Sequence, residues 1–242
     1  MVHTLPDYTS KWKTSTIADI VDPGEAVCRL GSIDTFDRRG NVIFLDDFEN
    51  LGNSWRLLGD GTGSDVVLSA EFPFTGSQAF KLTAGSDGNK SARIRRYFAL
   101  PTNTSLGTEW CFTFDGDTDY IRLLNIYFDG TTQWQAVIKL SLTDGTITVD
   151  DATLGDTVIA SGLTFLTVYP YYNHIKFVVD FTTHKYVRVI YNNHTYDASN
   201  YDLDFGASAN PEYMYVDYRI YGDALTNSVG YIDNCILTQN EV

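Results

Sequence analysis

The stretch His174-Ile175-Lys176-Phe177-Val178-Val179-Asp180-Phe181 decides the fold. Its odd-numbered positions are all apolar, and this period of two is typical of a β-strand with one buried face. We therefore expect the odd-numbered side chains to face a core and the polar ones, including Lys176, to face outward. Residues 182–185 then turn the chain and residues 186–191 return as the partner strand, so the pair predicts a long antiparallel hairpin.

Outward from this hairpin, short strands recur between tight turns. Asp-Gly pairs form favoured hairpin turns because both positions accept positive φ angles at low cost, and they occur at 60–61, 87–88, 115–116, 129–130 and 144–145. Further strands are predicted at 66–71, 78–84, 92–98, 109–115, 120–128, 134–142, 146–149, 213–221 and 229–238. No segment shows a clear helical stripe of more than two turns. The pattern predicts an all-β fold, a jelly-roll sandwich of two antiparallel sheets.

The acidic composition argues against several functions. The 242 residues include 31 Asp and Glu but 17 Lys and Arg, giving a net charge of −14. A nucleic-acid-binding protein needs a basic surface, so nucleic acid is not an expected partner, and an anionic membrane surface is disfavoured for the same reason. No apolar stretch reaches the length of a membrane span, and none near Met1 resembles a signal peptide. Cys28, Cys111 and Cys235 are odd in number and widely spaced, so we expect buried free thiols.

The chain divides near Asp46 into an irregular N-terminal arm, residues 1–45, and a sandwich domain, residues 46–242. The arm carries 5 basic and 6 acidic residues, whereas the remainder carries 12 basic and 25 acidic residues. Because the arm is nearly neutral, it is free to pack against an acidic surface. The side chains expected to serve in assembly or docking are Trp12, Phe36, Arg38 and Arg39.

Four stretches resemble jelly-roll domains of the concanavalin-like and carbohydrate-binding-module type. They are residues 45–50 with Trp55 shortly after, residues 76–82, residues 173–180, which resemble a strand of laminin-G-type sandwiches, and residues 230–237. Together they span about residues 45–238. The resemblance implies a sandwich with an opening and a closing strand side by side, and it specifies fold better than function.

The same resemblance implies a structural calcium ion between the first and last strands. The matching oxygen donors are Asp47, Glu49 and Asp233. Calcium takes six to eight oxygen ligands, so backbone carbonyls would complete the set. The alternative is that Glu49 caps a turn and Asp233 accepts hydrogen bonds from backbone amides. No other cofactor is expected.

A second resemblance concerns the arm. Residues 29–32, 36–42 and 46–49 resemble the start of phage-encoded virion-associated proteins. The resemblance implies an arm that clamps a jelly-roll subunit onto a capsid surface, with Arg38 and Arg39 fastening it to the shell or to a neighbouring copy.

Aromatic side chains supply candidate glycan-binding platforms, because sugar rings stack on exposed aromatic rings flanked by amides and carboxylates. Trp134 between two glutamines is one candidate, and Tyr169, Tyr171 and Tyr172 around a proline form another. A third group lies on one strand, where Tyr213, Tyr215 and Tyr221 share a face and Tyr218 points the other way. The alternative is that these rings fill the core or an oligomer interface.

Catalysis is not expected. A glycosidase needs two carboxylates flanking the bond, usually glutamates, and the six glutamates do not form the cluster on one strand that sandwich glycosidases carry. No Gly-x-Ser-x-Gly nucleophile motif occurs. His174, His184 and His194 recur every ten residues, but no zinc-ligand spacing matches.

These observations predict a non-enzymatic structural protein of a virion, a phage capsid decoration or accessory subunit on the particle surface. Its expected partners are the capsid protein or copies of itself, together with surface glycans. We expect synthesis in the host cytoplasm and a final location on the virion surface. The alternative is a carbohydrate-binding module or lectin-like domain, and the third reading is a glycoside hydrolase of concanavalin-like fold.

Overall fold

A computed structural model describes residues 39–49, 55–85, 90–99, 105–222 and 227–241. Their regular structure consists of sixteen β-strands. In chain order, these are β1 Asn41–Asp46, β2 Arg56–Gly59, β3 Asp65–Ser69, β4 Ala79–Thr83, β5 Ser91–Phe98, β6 Ser105–Phe114, β7 Thr118–Phe128, β8 Thr132–Ser141, β9 Thr146–Asp151, β10 Gly155–Ala160, β11 Asn173–Asp180, β12 Lys185–Tyr191, β13 His194–Asp197, β14 Asp204–Ala207, β15 Tyr213–Gly222 and β16 Val229–Gln239. Across these ranges the structure contains no helix that could cross a membrane.

The strands form two antiparallel eight-stranded sheets. The first sheet has the order β13-β12-β11-β6-β16-β4-β3, and β1 pairs with the second half of β16. The second has the order β10-β9-β8-β7-β15-β5-β2, and β14 pairs with β8. The central strands of each sheet come from distant parts of the chain, as in a jelly roll, and the predicted fold is confirmed.

The core lies between the sheets and is formed by every second side chain of the central strands. The alternation explains why Ile121 and Leu123 of β7 are fully buried, as are Met214, Val216 and Ile220 of β15. Aromatic rings join the two sheets: the ring centroids of Trp110 on β6 and Tyr218 on β15 are 5.8 Å apart. Cys111 and Cys235 are buried free thiols, as predicted, and Cys28 lies outside the described residues.

The predicted hairpin is confirmed as β11 and β12, which pair from Ile175 opposite Tyr191 to Asp180 opposite Lys185. The odd-numbered side chains of β11 are fully buried in the core. Lys176 points away from the core, as predicted, but it is fully buried rather than solvated. The reason is that other parts of the chain cover this face of the first sheet, as described below.

The first strand begins before the predicted start of the sandwich. β1 pairs with β16 from Asn41 opposite Gln239 to Asp46 opposite Cys235, so residues 41–45, which the sequence assigned to the arm, belong to the first sheet. The backbone oxygen of Arg39 accepts a hydrogen bond of 3.2 Å from Lys176 Nζ. The other predicted assembly residues, Trp12, Phe36 and Arg38, lie outside the described residues.

Four short strands were not predicted, namely β2, β10, β13 and β14. Three of them have four residues, which is too short for an alternation to stand out. Several of their positions are exposed, including apolar ones such as Leu57, Val158 and Phe205, so apolar residues do not mark a buried face in these strands. β2, β10 and β14 widen the second sheet, on which the candidate site lies, whereas β13 pairs with β12 at the edge of the first sheet.

Candidate functional site

The outer face of the first sheet carries a buried aromatic cluster. Ala79, Cys111, Tyr172 and Tyr231 are buried together, and Phe72, Phe74 and Tyr169 pack against them. The tyrosine hydroxyls are used within the molecule: Tyr169 donates to the backbone oxygen of Val229 at 2.8 Å, and Tyr172 donates to that of Phe72. Burial raises the pKa of both phenols.

The predicted platform around Pro170 is therefore divided. Tyr169 and Tyr172 pack in this cluster, whereas Tyr171 is 61% exposed. The three rings do not form one surface, and Tyr171 alone of the three presents a largely open ring. A glycan site at Tyr171 stays a prediction.

The three candidate calcium residues act as hydrogen-bond acceptors for nearby loops. Glu49 accepts from Ser77 N at 2.7 Å, from Ser77 Oγ at 2.6 Å and from Gln78 N at 2.9 Å, and these bonds lower its pKa. Asp47 Oδ1 accepts from Glu49 N at 3.2 Å. Asp233 is completely buried, and burial raises its pKa to about 6.

Asp233 is only partly satisfied by hydrogen bonds. Its Oδ2 accepts from Phe74 N at 2.9 Å and from Thr75 N at 3.0 Å, and its Oδ1 is buried without a hydrogen-bond partner. These contacts match the alternative role stated above, in which the carboxylates hold turns. Within the described ranges, no group of three His, Cys, Asp or Glu residues is arranged to hold a metal ion. Calcium binding at this place stays a prediction.

Trp134 on β8 points away from the two glutamines that flank it. Its indole stacks on His184, with ring centroids 3.5 Å apart, and its Nε1 donates to Asp129 Oδ2 at 3.1 Å. Gln133 and Gln135 lie opposite Phe128 and Ile126 of β7, on the outer face of the second sheet. The predicted combination of indole and amides is thus split between two surfaces.

The outer face of the second sheet carries a row of four cations. Arg219 on β15 lies directly opposite Arg93 on β5 and Arg122 on β7, and Arg122 lies directly opposite Lys139 on β8. Directly paired residues project from the same face, and neighbouring strands are about 4.8 Å apart. Like charges in such pairs destabilise a sheet, by at most about 3 kcal/mol per pair at that spacing in a surface dielectric.

One buried carboxylate compensates part of this charge. Asp217 is fully buried next to the row, and its two oxygens accept from Arg95 Nε at 2.7 Å and from Arg219 Nε at 2.6 Å. Burial lowers the pKa of both guanidinium groups, but Asp217 outweighs it, so both pKa values are raised. At the end of the row, Lys139 Nζ lies 3.6 Å from an oxygen of Asp156.

Arg93 and Arg122 differ from their neighbours in the row. In the described part of the chain, neither has a carboxylate within ion-pair distance. The Nε atoms of both side chains are buried without a hydrogen-bond partner. A buried guanidinium donor without a partner costs free energy.

Tyrosines flank the cation row on both sides. On one side, Tyr97 is 43% exposed and lies between Tyr213 and Tyr215, with centroid distances of 5.8 and 5.5 Å. On the other side, Tyr120 and Tyr221 stack with centroids 4.2 Å apart. The Arg95 guanidinium lies 4.0 Å from the centroid of the Tyr215 ring and 6.0 Å from that of the Tyr97 ring, which stays partly exposed.

An apolar floor and a polar rim complete this surface. Leu124, Ile126, Phe128 and Val137 are buried on the outer face, and the tyrosines packed against them belong to the same sheet. The rim carries Gln133, Gln135 and the carboxylates of Asp150, Asp156 and Asp204. Burial raises the pKa of Asp150, with smaller contributions from Asp204 and Asp156. Exposed rings, amides, carboxylates and cations on one surface are the groups that orient and stack sugar rings.

The sequence predicted part of this surface. The shared orientation of Tyr213 and Tyr215 follows from alternation along β15 and is found in the structure. The cation row was missed, because its members come from four strands far apart in the sequence. The available signal was weak: Arg93 and Arg95 are two residues apart, as are Asp217 and Arg219, so each pair shares one face of a strand.

No family model matches the chain, and no curated protein matches it in sequence. Among solved structures, an endo-β-1,4-glucuronan lyase from the fungus Trichoderma reesei matches with a TM-score of 0.57 and 9% identity, covering 83% of this chain and 96% of the lyase. The cellulose-induced protein Cip1 matches with a TM-score of 0.52 and 12% identity, covering 82% of this chain and 98% of Cip1. A sialidase matches with a TM-score of 0.50 and 10% identity.

The match covers 84% of this chain but 19% of the sialidase, so the chain corresponds to about a fifth of that protein. At these identities the likenesses show the fold alone, and that fold is the concanavalin-like jelly-roll sandwich. None of the three structures is named as a virion protein. The predicted phage resemblance rests on residues 29–32, 36–42 and 46–49, of which residues 29–32 and 36–38 lie outside the described residues, and it gains no support here.

Proposed function

We propose that this protein is a carbohydrate-binding domain that holds a glycan chain on the outer face of its second sheet. The observation that carries the proposal is the exposed Tyr97 ring beside Tyr213, with the Arg95 guanidinium next to it and the rim carboxylates on the same face. A ring of this kind stacks on the apolar face of a sugar while the charged groups bind its hydroxyls.

Two further observations support this function over the virion role predicted from the sequence. The buried aromatic cluster and the loops around it occupy part of the outer face of the first sheet, whereas the aromatic groups of the second sheet include an open ring. The lyase and the sialidase are named for action on carbohydrates, which favours the same ligand class. Attachment to a virion through the arm, and a location on its surface, are separate proposals.

Binding without catalysis is the simpler form of this function. The rim acids Asp150 and Asp204 are the carboxylates that hydrolysis on this face would use, and the pKa of Asp150 is raised chiefly by burial. Glycoside hydrolysis needs a protonated and an ionised carboxyl on opposite sides of the bond. Incubation of the full chain with each bound glycan, followed by a reducing-end assay, tests this second candidate; release of reducing ends would establish an enzyme.

The test of binding is affinity electrophoresis of the full chain through gels that contain a panel of neutral and acidic polysaccharides. We expect at least one polysaccharide to retard the protein. The double variant Tyr97→Ala/Tyr213→Ala should bind about tenfold more weakly. The basis is that stacking of a nucleic-acid base, which is similar in size to a sugar ring, on an aromatic side chain contributes on the order of 1–3 kcal/mol.

Tyr171→Ala is the control, because it removes a tyrosine that is even more exposed than Tyr97 but lies outside the second sheet. Unchanged binding of this variant, together with loss in the double variant, supports the proposed face. Loss of binding in Tyr171→Ala alone would move the site to the first sheet. A chain that no polysaccharide retards would overturn the function itself.

A further inference from the structure

We infer that the glycan is acidic: the row of Arg93, Arg219, Arg122 and Lys139 binds the carboxylates of a uronic-acid polysaccharide. This inference rests on the proposed function and adds the chemical class of the ligand. The observation behind it is where the basic residues lie on the protein, not the net charge of the chain.

Cations are concentrated on this one face of an acidic protein. Residues 46–242 contain 12 basic residues against 25 acidic ones. Six of the 12 project from the outer face of the second sheet, as the strand registers show: Arg56, Arg93, Arg95, Arg122, Lys139 and Arg219. Four of these six are direct cross-strand neighbours, in a row that extends over about 14 Å at ordinary strand spacing.

The pairing of these cations leaves anion-binding capacity at the centre of the face. Asp217 satisfies Arg95 and Arg219, and Asp156 lies near Lys139. Arg93 and Arg122 keep buried Nε donors without partners. A carboxylate placed between neighbouring members of the row would accept charge-assisted bonds from the exposed parts of their side chains and relieve the repulsion between the cations.

The surroundings of the row fit a polysaccharide better than a nucleic acid. Asp150, Asp156 and Asp204 on the same face would repel a closely spaced phosphate backbone, as would the net charge of −14. In a uronic-acid chain, carboxylates are separated by hydroxyl-bearing rings. Such a chain can place carboxylates on the arginines, hydroxyls on the rim acids and glutamines, and a ring face on Tyr97.

The experiment compares ligands that differ in charge alone. Polygalacturonate and the same polymer after extensive methyl esterification are titrated into the full chain by calorimetry, with a calcium chelator present so that bridging cations play no part. Polymannuronate, polyglucuronate, dextran sulfate and single-stranded DNA complete the panel. We expect at least one polyuronate to bind, binding to weaken as salt rises, and esterification of a bound polygalacturonate to reduce the affinity by tenfold or more.

Variants locate the effect on the row. Arg93→Gln and Arg122→Gln should each weaken polyuronate binding by about tenfold, since each removes a charge-assisted hydrogen bond. Arg122→Lys should retain most of the affinity because it keeps the charge. Lys81→Gln is the matched control: Lys81 lies on the first sheet, paired with Glu71, and its removal changes the net charge equally. Its affinity should equal that of the wild type. Thermal unfolding of each variant verifies that it is folded.

The outcomes separate this inference from the proposed function. If neutral and esterified polymers bind as tightly as the acidic ones, the domain binds carbohydrate but the acidic class is wrong. If dextran sulfate or DNA binds and no polyuronate does, the row binds another anion and the carboxylate assignment is overturned. An equal loss in Lys81→Gln would show a general charge effect and would overturn the role of the row. If no glycan of any kind binds, both proposals fail together.

Discussion

The two outer faces of the sandwich differ in the counter-charges that surround their buried and half-buried cations. On the first sheet, Lys176 Nζ lies 3.0 Å from Glu109 and 2.6 Å from Glu241, and Arg188 lies 2.6 Å from Glu241. On the second sheet, Arg93 and Arg122 keep unpartnered donors beside other cations. The arrangement of counter-charges therefore distinguishes the two faces.

The counter-charge next to a cation distinguishes a structural cation from a ligand-binding one. Burying a charge costs free energy unless an opposite charge lies next to it, and on the first sheet Lys176 and Arg188 each lie next to a glutamate. A sheet face that keeps cations in register without equal counter-charge gives up stability. Proteins retain such destabilising arrangements at binding sites, because the bound ligand supplies the missing counter-charge.

The largest expected effect comes from removing the central cation of the first sheet. Lys176→Met should lower the free energy of unfolding by about 3 kcal/mol or more, because Glu109 loses its buried partner and Glu241 keeps Arg188 alone. Urea unfolding followed by tryptophan fluorescence measures the change. Lys81→Met on the same sheet removes an exposed pair with Glu71 and should cost less than about 1 kcal/mol. Equal losses in the two variants would refute the structural role of the network.

The next effect concerns the compensating carboxylate of the second sheet. Asp217→Asn should lower the free energy of unfolding by about 2 kcal/mol, because Arg95 and Arg219 lose a fully buried partner while each keeps some contact with water. The loss should shrink when a bound polyuronate replaces the missing charge. Thermal unfolding with and without polygalacturonate measures both quantities. A loss that the polymer does not reduce would argue against anion binding next to Asp217.

A smaller effect is expected at Glu49, for which calcium binding and hydrogen bonding to a loop are alternative roles. Glu49→Gln should cost about 1 kcal/mol, because the neutral side chain weakens its bonds to Ser77 and Gln78. The wild-type melting temperature should be the same in calcium and in chelator if Glu49 holds the loop by hydrogen bonds alone. A rise in calcium that Glu49→Gln abolishes would instead establish the predicted metal site.

The sequence could predict features that lie within one strand or one hairpin. The β11–β12 hairpin and the orientation of Tyr213 and Tyr215 follow from alternation, which is a local property. The burial of Lys176 could not be predicted in this way, because its counter-charge comes from Glu241 at the far end of the described chain. The row of cations was hidden for the same reason: cross-strand register is set by the pairing of distant segments. Alternation places a side chain on a face, and tertiary structure decides what lies beside it.

The smallest expected effect is a gain in stability rather than a loss, and it tests the difference between the two outer faces most directly. Arg122→Met should raise the free energy of unfolding by about 0.5 kcal/mol, since it removes a cation that stands between Arg219 and Lys139. The same substitution should weaken polyuronate binding. Urea unfolding and calorimetry on one preparation measure the two changes together. If Arg122→Met destabilised the protein as strongly as Lys176→Met does, the second face would be held together by its cations like the first. A gain in stability joined to a loss of binding is the combination that a structural role for Arg122 does not produce.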